Sequence, residues 1–333
     1  MNPVLAFDCE KAAEEICQGI RHAMVSAIGR RGLVLGISGG IDSSVCAALA
    51  VRALGKDKVI GLLMPEQDSA PESGDLGELL AQHLGVRYET QSLSVALESL
   101  GCYQWRDDAI RELVPDYVDG NGSGNGWRNK IVIRGGMDGQ INRYELVVED
   151  PEGKRQQIRL PVKQYLQIVA ATNFKQRIRK TLEYCWADRF NYAVLGTPNR
   201  LEYDQGFFVK HGDGAADIKP IAHLYKSQVY ALARHLGLPD AICSSTPTTD
   251  TYSLAQGQDE FYFALPYERM DVALYAYNAS WSPSRLATEI QISEEQATWV
   301  FGDIARKRKT TRYLHAAPVL LEPVPLESAS PDL

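Results

Sequence analysis

A doubly wound α/β fold, with a parallel sheet, flanking helices and a small β insertion, is what this sequence predicts. Three observations carry it. An apolar run, Leu33 to Ile37, passes directly into Ser38-Gly39-Gly40 and then into a helical pattern. Strand-like runs and helical stretches then alternate, the rhythm of a parallel sheet covered on both faces. One polar, glycine-rich stretch interrupts that rhythm and carries β patterns of its own.

The elements follow in order. Ala12, Ala13, Ile16, Ile20 and Ala23 have helical spacing, which predicts a helix over Asp8–Met24. Gly32–Ile37 reads as a strand and Ser43–Leu54 as a helix. Val59–Met64 is a strand, Leu76–Leu84 a helix closed by Gly85, and Arg87–Thr90 a strand. Beyond the interruption, Phe174–Asp188 reads as a helix with Asn173 as its cap, and Tyr192–Thr197 as a strand. Tyr267–Tyr277, Pro283–Ile290 and Glu294–Arg308 look helical, and the tail after Pro318 is proline-rich. This places one α/β body over residues 1–100 and 163–320, with a flexible tail over 321–333.

The interruption covers residues 101–162. It is polar over Asp119–Gly126. It then shows three β-like runs, Lys130–Arg134, Tyr144–Val148 and Gln157–Val162. Asp150-Pro151-Glu152-Gly153-Lys154 makes a good turn between the last two. A partner-binding role or a plain surface elaboration both fit such an insertion. Ser244–Gln258, polar and turn-rich, is a candidate mobile loop.

Composition narrows the function. The chain has 333 residues, 45% of them hydrophobic, and a formal net charge of −7. That charge argues against broad binding to nucleic acid or an anionic membrane. No apolar run approaches the roughly 20 residues of a membrane span, and no signal peptide is visible. The six cysteines, Cys9, Cys17, Cys46, Cys102, Cys185 and Cys243, form no C-x-x-C pair. Reduced thiols of a cytoplasmic protein are the simplest reading.

The glycine loop points to chemistry. Gly36-Ile37-Ser38-Gly39-Gly40-Ile41-Asp42-Ser43 lies between a strand and a helix N-terminus. Adjacent glycines let main-chain N–H groups converge on an anion, aided by the helix dipole. Asp42 would repel phosphate unless a hard cation bridged them, so the loop predicts Mg²⁺ with a nucleotide. It is not a Walker A loop, because no lysine lies between Arg31 and Lys56. A tight turn with an incidental Asp cap is the plainer alternative.

Ser38 to Ser43, S-G-G-I-D-S, resembles the signature of the N-type ATP pyrophosphatases, which cleave ATP between the α and β phosphates. The second half sharpens this. Asn173 to Lys226 holds N-F-K-Q-R-I-R, L-G-T-P-N-R-L-E, F-F-V-K-H-G-D-G-A-A-D-I-K-P-I and L-Y-K-S-Q-V. Taken alone, Arg177 and Arg179 read as solvated helix charges, Glu202 as a surface carboxylate and Lys226 as a solvated lysine. Together these segments resemble the NAD synthetases, over nearly the whole chain outside the insertion and the tail.

The resemblance implies an adenine nucleotide alpha hydrolase-like fold and a set of roles. ATP is bound by Gly36 to Ser43 and by Thr197, Lys226 and Thr248. Mg²⁺ is held by Asp42 and Glu202. Deamido-NAD is contacted by Arg177, Lys210 and Asp217. Asp42, Lys226 and Glu202 carry the catalysis. The implied reaction is the amidation of deamido-NAD to NAD through an acyl adenylate, with release of AMP and pyrophosphate. No enzyme nucleophile is needed. The family's C-terminal His-Lys pair has no match at Lys309-Thr310-Thr311-Arg312.

A homodimer is also implied. Free ammonia is the expected nitrogen donor, because nothing resembles a glutaminase domain; a separate glutaminase subunit is the alternative. Three rivals remain: an adenylating ligase for another carboxylate, a tRNA-modifying ligase, and a non-catalytic nucleotide-binding module. The −7 charge and the lack of paired cysteines disfavour the second.

Overall fold

β1, Leu33–Gly36, is the strand on which the molecule is organised. The computed structural model describes residues 1–118, 126–135, 143–245, 252–254, 257, 262–263, 265–322 and 324. β1 pairs in parallel with β2, Val59–Leu63, on one side and with β7, Ala193–Val194, on the other. β3, Arg87–Thr90, adds to β2, which makes a four-stranded sheet in the order β3-β2-β1-β7, all parallel. Leu195 extends the β7 edge by a parallel bridge to Ile218.

Alternation along β1 explains the layers. Leu33 and Leu35 join a core with Ala13, Cys17 and Ile20 of α1 (Cys9–Ala23) and with Val45 and Leu49 of α2 (Ile41–Leu54). Val34 points to the other face. It packs with Ile60, Leu62, Ala171 and Ala187. A strand buried on both sides must be apolar at every position, which is why β1 and β2 read as unbroken hydrophobic runs. Helices α3 (Pro71–Leu84), α4 (Ser94–Ser99) and α5 (Cys102–Arg111) follow, the last with Cys102 and Tyr103 in this second core. Four of the six cysteines are buried and all six are free thiols.

Several boundaries differ from the sequence reading. α2 begins at Ile41 and α3 at Pro71, where a proline at the first position needs no N–H partner. The largest difference is α6, which runs from Val162 to Phe190, 29 residues. Asn173 is therefore inside a helix and does not cap one. The physical reason is plain: no glycine or proline follows Pro161 until the helix ends at Asn191, which adopts φ 56. The third β run is correspondingly shorter. β6 is Arg155–Arg159, and Pro161 opens the helix.

The insertion contains a three-stranded antiparallel sheet, β4 (Arg128–Arg134), β5 (Arg143–Glu149) and β6. The β5–β6 turn forms as its sequence predicts. Asp150 Oδ1 accepts the Lys154 N–H at 2.8 Å, and Gly153 takes φ 83. Ile131, Leu146 and Val148 pack with Ile110 of α5 and Ile168 of α6, so the sheet rests on the helical hairpin. Residues 119–125, 246–251 and 325–333, which include most of the polar run, part of the candidate mobile loop and most of the tail, lie outside the described residues.

The chain then returns to the crevice. α7 (Arg200–Gln205) follows β7, and α8 (Lys226–His235) and α9 (Asp240–Cys243) cover the first face. A third cluster unites α10 (Tyr267–Asn278), α11 (Pro283–Ile290) and α12 (Glu294–Thr311) around Met270, Leu286 and Ile304.

Leu35 is fully buried at the centre of this arrangement. Leu35→Ala is expected to cost about 2–5 kcal/mol in chemical denaturation, with the slope unchanged. A cost below about 1 kcal/mol would show that the central strand does not anchor the core.

Candidate active site

The order β2-β1-β7 makes a topological switch point, because the chain leaves β1 toward β2 and returns beside it as β7. Ligands of open parallel sheets bind where the strand ends part in this way. A cavity of about 730 Å³ lies there, bordered by the glycine loop, Glu66, Arg179, Thr197, Glu202 and Lys226. Its size is that of a small-molecule site.

The glycine loop is held open from below. Gly39 takes φ 76, and a Cβ there would sit 2.6 Å from the Ser73 carbonyl oxygen of α3. A Cβ at Gly36 would come within 3.1 Å of Glu183 Oε1. Both positions need glycine for close approach. The Ser43 and Ser44 hydroxyls donate to the Gly40 carbonyl at 3.0 and 2.8 Å, which fixes the first turn of α2. Beneath Gly36, buried Lys180 pairs with buried Glu183 at 2.7 Å, and burial raises the Glu183 carboxyl above its usual range.

Four side chains meet above that loop. Asp42 Oδ2 accepts from the Lys226 ammonium, and Asp42 Oδ1 accepts from Asn199 Nδ2 at 3.1 Å. Asn199 caps α7. Its Oδ1 accepts the Glu202 N–H at 3.2 Å, while Glu202 Oε2 accepts the Asn199 N–H at 3.1 Å. One asparagine thus joins two carboxylates that lie far apart in the chain. Lys226 is 2% exposed. Burial alone would lower its pKa, but the charges of Asp42 and Glu202 outweigh that and hold the ammonium above the usual lysine range.

Asp271 of α10 sets the lysine's position. It is fully buried and accepts the N–H groups of Lys226 and Ser227 at 3.1 and 2.7 Å, satisfying the first turn of α8. On the opposite wall, Lys175 donates to Glu66 Oε1 at 3.1 Å and also meets Asp68, which meets Arg106. Tyr103 donates its hydroxyl to Glu66 Oε2 at 2.8 Å. Burial would raise the Asp68 carboxyl; Lys175 and Arg106 outweigh it and hold it low. This buried network ties the loop after β2 to α5 and α6.

The family follows from comparison. The model of the NAD synthase family matches residues 12–121 and 143–314. The chain belongs to the NAD synthase family. An NH(3)-dependent NAD(+) synthetase of Rhizobium meliloti is 56% identical over 321 residues, 96% of this chain and 94% of the relative. The protein of that name from Rhizobium rhizogenes is 51% identical over 96% of this chain and 95% of its own length. Among solved structures, an NMN synthetase from Francisella tularensis aligns with a TM-score of 0.64 at 20% identity, covering 95% of this chain and 99% of its own. That likeness concerns the fold alone. The match to the family model skips residues 122–142, within the insertion.

The structure distributes the sequence-predicted site residues unevenly. Gly36 to Ser43, Thr197, Glu202, Lys226, Arg177 and Lys210 all border the cavity. Arg177 Nε donates to the Lys210 carbonyl at 3.2 Å. Lys210 Nζ donates to the carbonyls of Tyr313 and Ala316 at 2.8 and 3.0 Å, so it holds the C-terminal segment. Asp217 does not border the cavity. Its Oδ2 accepts the Val194 N–H at 2.7 Å, which splices its loop to β7. Thr248 lies outside the described residues. At the C-terminal end of α12, Thr311, Tyr313 and Leu314 border the cavity, and His315 packs edge-on against Tyr203 and Phe208.

Sequence reasoning missed Asn199, Asp271, Glu66 and the Lys180–Glu183 pair. Asn199 was legible in principle, since N-x-x-E before a helix is a capping signature. Asp271 offers only a lone carboxylate in the apolar run Met270–Leu274.

Burial pushes the Asp271 carboxyl from 3.8 up to about 6, against its N–H bonds and the Lys226 charge. A raised folded-state value means the folded protein holds this proton where the unfolded chain has lost it. Stability from this group is therefore greatest below pH 4 and falls as pH rises to about 6. The wild-type stability minus that of Asp271→Asn is expected to drop by about 2–3 kcal/mol across that window. A rise over the same window in urea titrations would show that the carboxylate stays ionised.

Proposed function

We propose that the protein is an ammonia-dependent NAD synthetase, which converts deamido-NAD, ATP and ammonia to NAD, AMP and pyrophosphate. The observation that carries this reading is the linkage of Asp42, Asn199, Glu202 and Lys226 at the end of the glycine loop. Membership of the NAD synthase family and the names of the relatives support it.

A carboxylate is a poor acylating agent, so the nicotinate oxygen first attacks the α phosphorus and pyrophosphate departs. Ammonia then attacks the acyl carbon, a proton leaves its nitrogen, and AMP departs with the electron pair of the broken C–O bond. The protein's part is positioning and charge neutralisation. The N–H groups of the glycine loop and the Lys226 ammonium are the groups placed to receive phosphate oxygens. Asn199 and Asp271 keep Asp42 and Lys226 in place for that task.

Asp42 and Glu202 are the residues that would hold Mg²⁺. Their oxygen donors fit a hard cation, and no cluster of three or more metal-binding side chains occurs among the described residues. Two carboxylates suit Mg²⁺, a hard cation that prefers oxygen donors and needs few of them from the protein. When bound, the ion neutralises charge on the departing pyrophosphate. Arg177 and Lys210 are proposed to receive the dinucleotide, and Thr248 to contact ATP. A cytoplasmic homodimer using free ammonia is the proposed working form. No described helix is long and apolar enough to cross a membrane.

The test is turnover with ATP, Mg²⁺, deamido-NAD and ammonium, read as AMP and pyrophosphate. Formation of both with deamido-NAD, and not with other nicotinate or aryl carboxylates, is the expected result. AMP formation with another carboxylate alone would assign a different ligase. Asp42→Asn and Glu202→Gln should each lower pyrophosphate release by on the order of 10²-fold or more with folding intact. Near wild-type rates in both would remove the two carboxylates from the chemistry.

A further inference from the structure

We propose that the β insertion is a specificity element of this site, building an aromatic wall that receives one heteroaromatic ring of the dinucleotide. The inference rests on the proposed activity and extends it to a segment that the family model partly skips.

Three tyrosines support it. Tyr144 of β5 borders the cavity, as do Tyr165 of α6 and Tyr252. The rings of Tyr144 and Tyr165 stack at 4.2 Å with an interplanar angle of 22°. Tyr165 thus backs Tyr144 and fixes its ring plane. A π face held rigidly at the edge of a nucleotide cavity is what a planar base or pyridine ring stacks on, and such a contact loses little side-chain entropy.

The insertion also positions Tyr252. β4 is an edge strand. Its Asn129 is 1% exposed, donates its N–H to Ser253 Oγ at 2.9 Å and accepts the Leu254 N–H at 3.1 Å. Asn129 Nδ2 donates to the Tyr117 hydroxyl at 2.9 Å, which anchors the strand end to the segment that follows α5. Tyr252 packs on one face of the hairpin, with Ile131, Leu146 and Val148. Leu254 packs on the other, with Val132 and Val147. Residues 252–254 therefore cross the β4 edge, and the backbone groups that an edge strand leaves open are used to hold a cavity-lining ring. Asn129 acts here as a positioning residue.

The cost of the insertion makes sense on this account. A surface elaboration would need no ring facing the cavity and no bonds to a segment more than a hundred residues later. Here both are present on the same two strands.

The experiment measures equilibrium binding of deamido-NAD without ATP, beside steady-state turnover. Tyr144→Ala should weaken deamido-NAD binding and raise its KM by on the order of tenfold, with KM for ATP unchanged; Tyr144→Phe should restore both. Ser253→Ala, which removes only the hydroxyl that Asn129 holds, should raise KM for deamido-NAD several-fold and leave kcat unchanged. Wild-type binding in Tyr144→Ala would overturn the inference. Equal weakening in the Ala and Phe variants would overturn it too, since the hydroxyl and not the ring would then carry the effect. A wild-type protein that binds deamido-NAD but forms no AMP would sink the proposed activity and leave this inference standing.

Discussion

A buried lysine held against carboxylates from distant parts of the chain is the constraint on which this site depends. Lys226 is out of water, so its charge must be paired, and Asp42 pairs it. Asp42 is itself fixed by Asn199, and Asn199 by its capping exchange with Glu202. The arrangement is achieved because the first turns of α2, α7 and α8 come together, bringing Asp42, Asn199 and Lys226 into contact. Without Asp42 beside it, the Lys226 ammonium would be a buried charge with its main compensation gone. The fold and the chemistry therefore share one electrostatic requirement.

The same economy appears around the cavity walls. Asp271 uses both oxygens on the start of α8 and so aims Lys226 from outside the cavity. Lys175, Glu66, Asp68 and Arg106 make a closed ionic layer under the loop after β2. Buried ionic layers of this kind contribute little net stability against an apolar alternative, but losing one partner is costly. The use of this layer is to hold the loop after β2 in one arrangement against α5 and α6.

Legibility in the sequence followed the range of the interactions. The glycine loop and the helix after it were readable because their signals are local: adjacent glycines, an apolar run, a helical spacing. Glu202 lies five residues past the strand end at Thr197, where it could supply a second oxygen ligand, but alone it reads as a surface carboxylate and only the family resemblance gives it a role. Asp217 was named in the same way, yet its carboxylate serves the Val194 N–H. The start of α6 was misread because Gln157–Val162 is β-like on its own, whereas Pro161 and the absence of any later breaker decide for a long helix.

By itself, the sequence determined the local chemistry: which turns could open around an anion, which stretches had to be buried on both faces, and that the chain carried acidic and basic groups suited to a nucleotide. Tertiary structure alone decided which of those groups meet. Asn199, Asp271, Tyr144 and Asn129 take their roles from contacts across large sequence separations. Side-chain spacing along one strand or helix carries no record of such contacts. They are set by how the β1–β7 crevice closes and by where the antiparallel hairpin comes to rest on it.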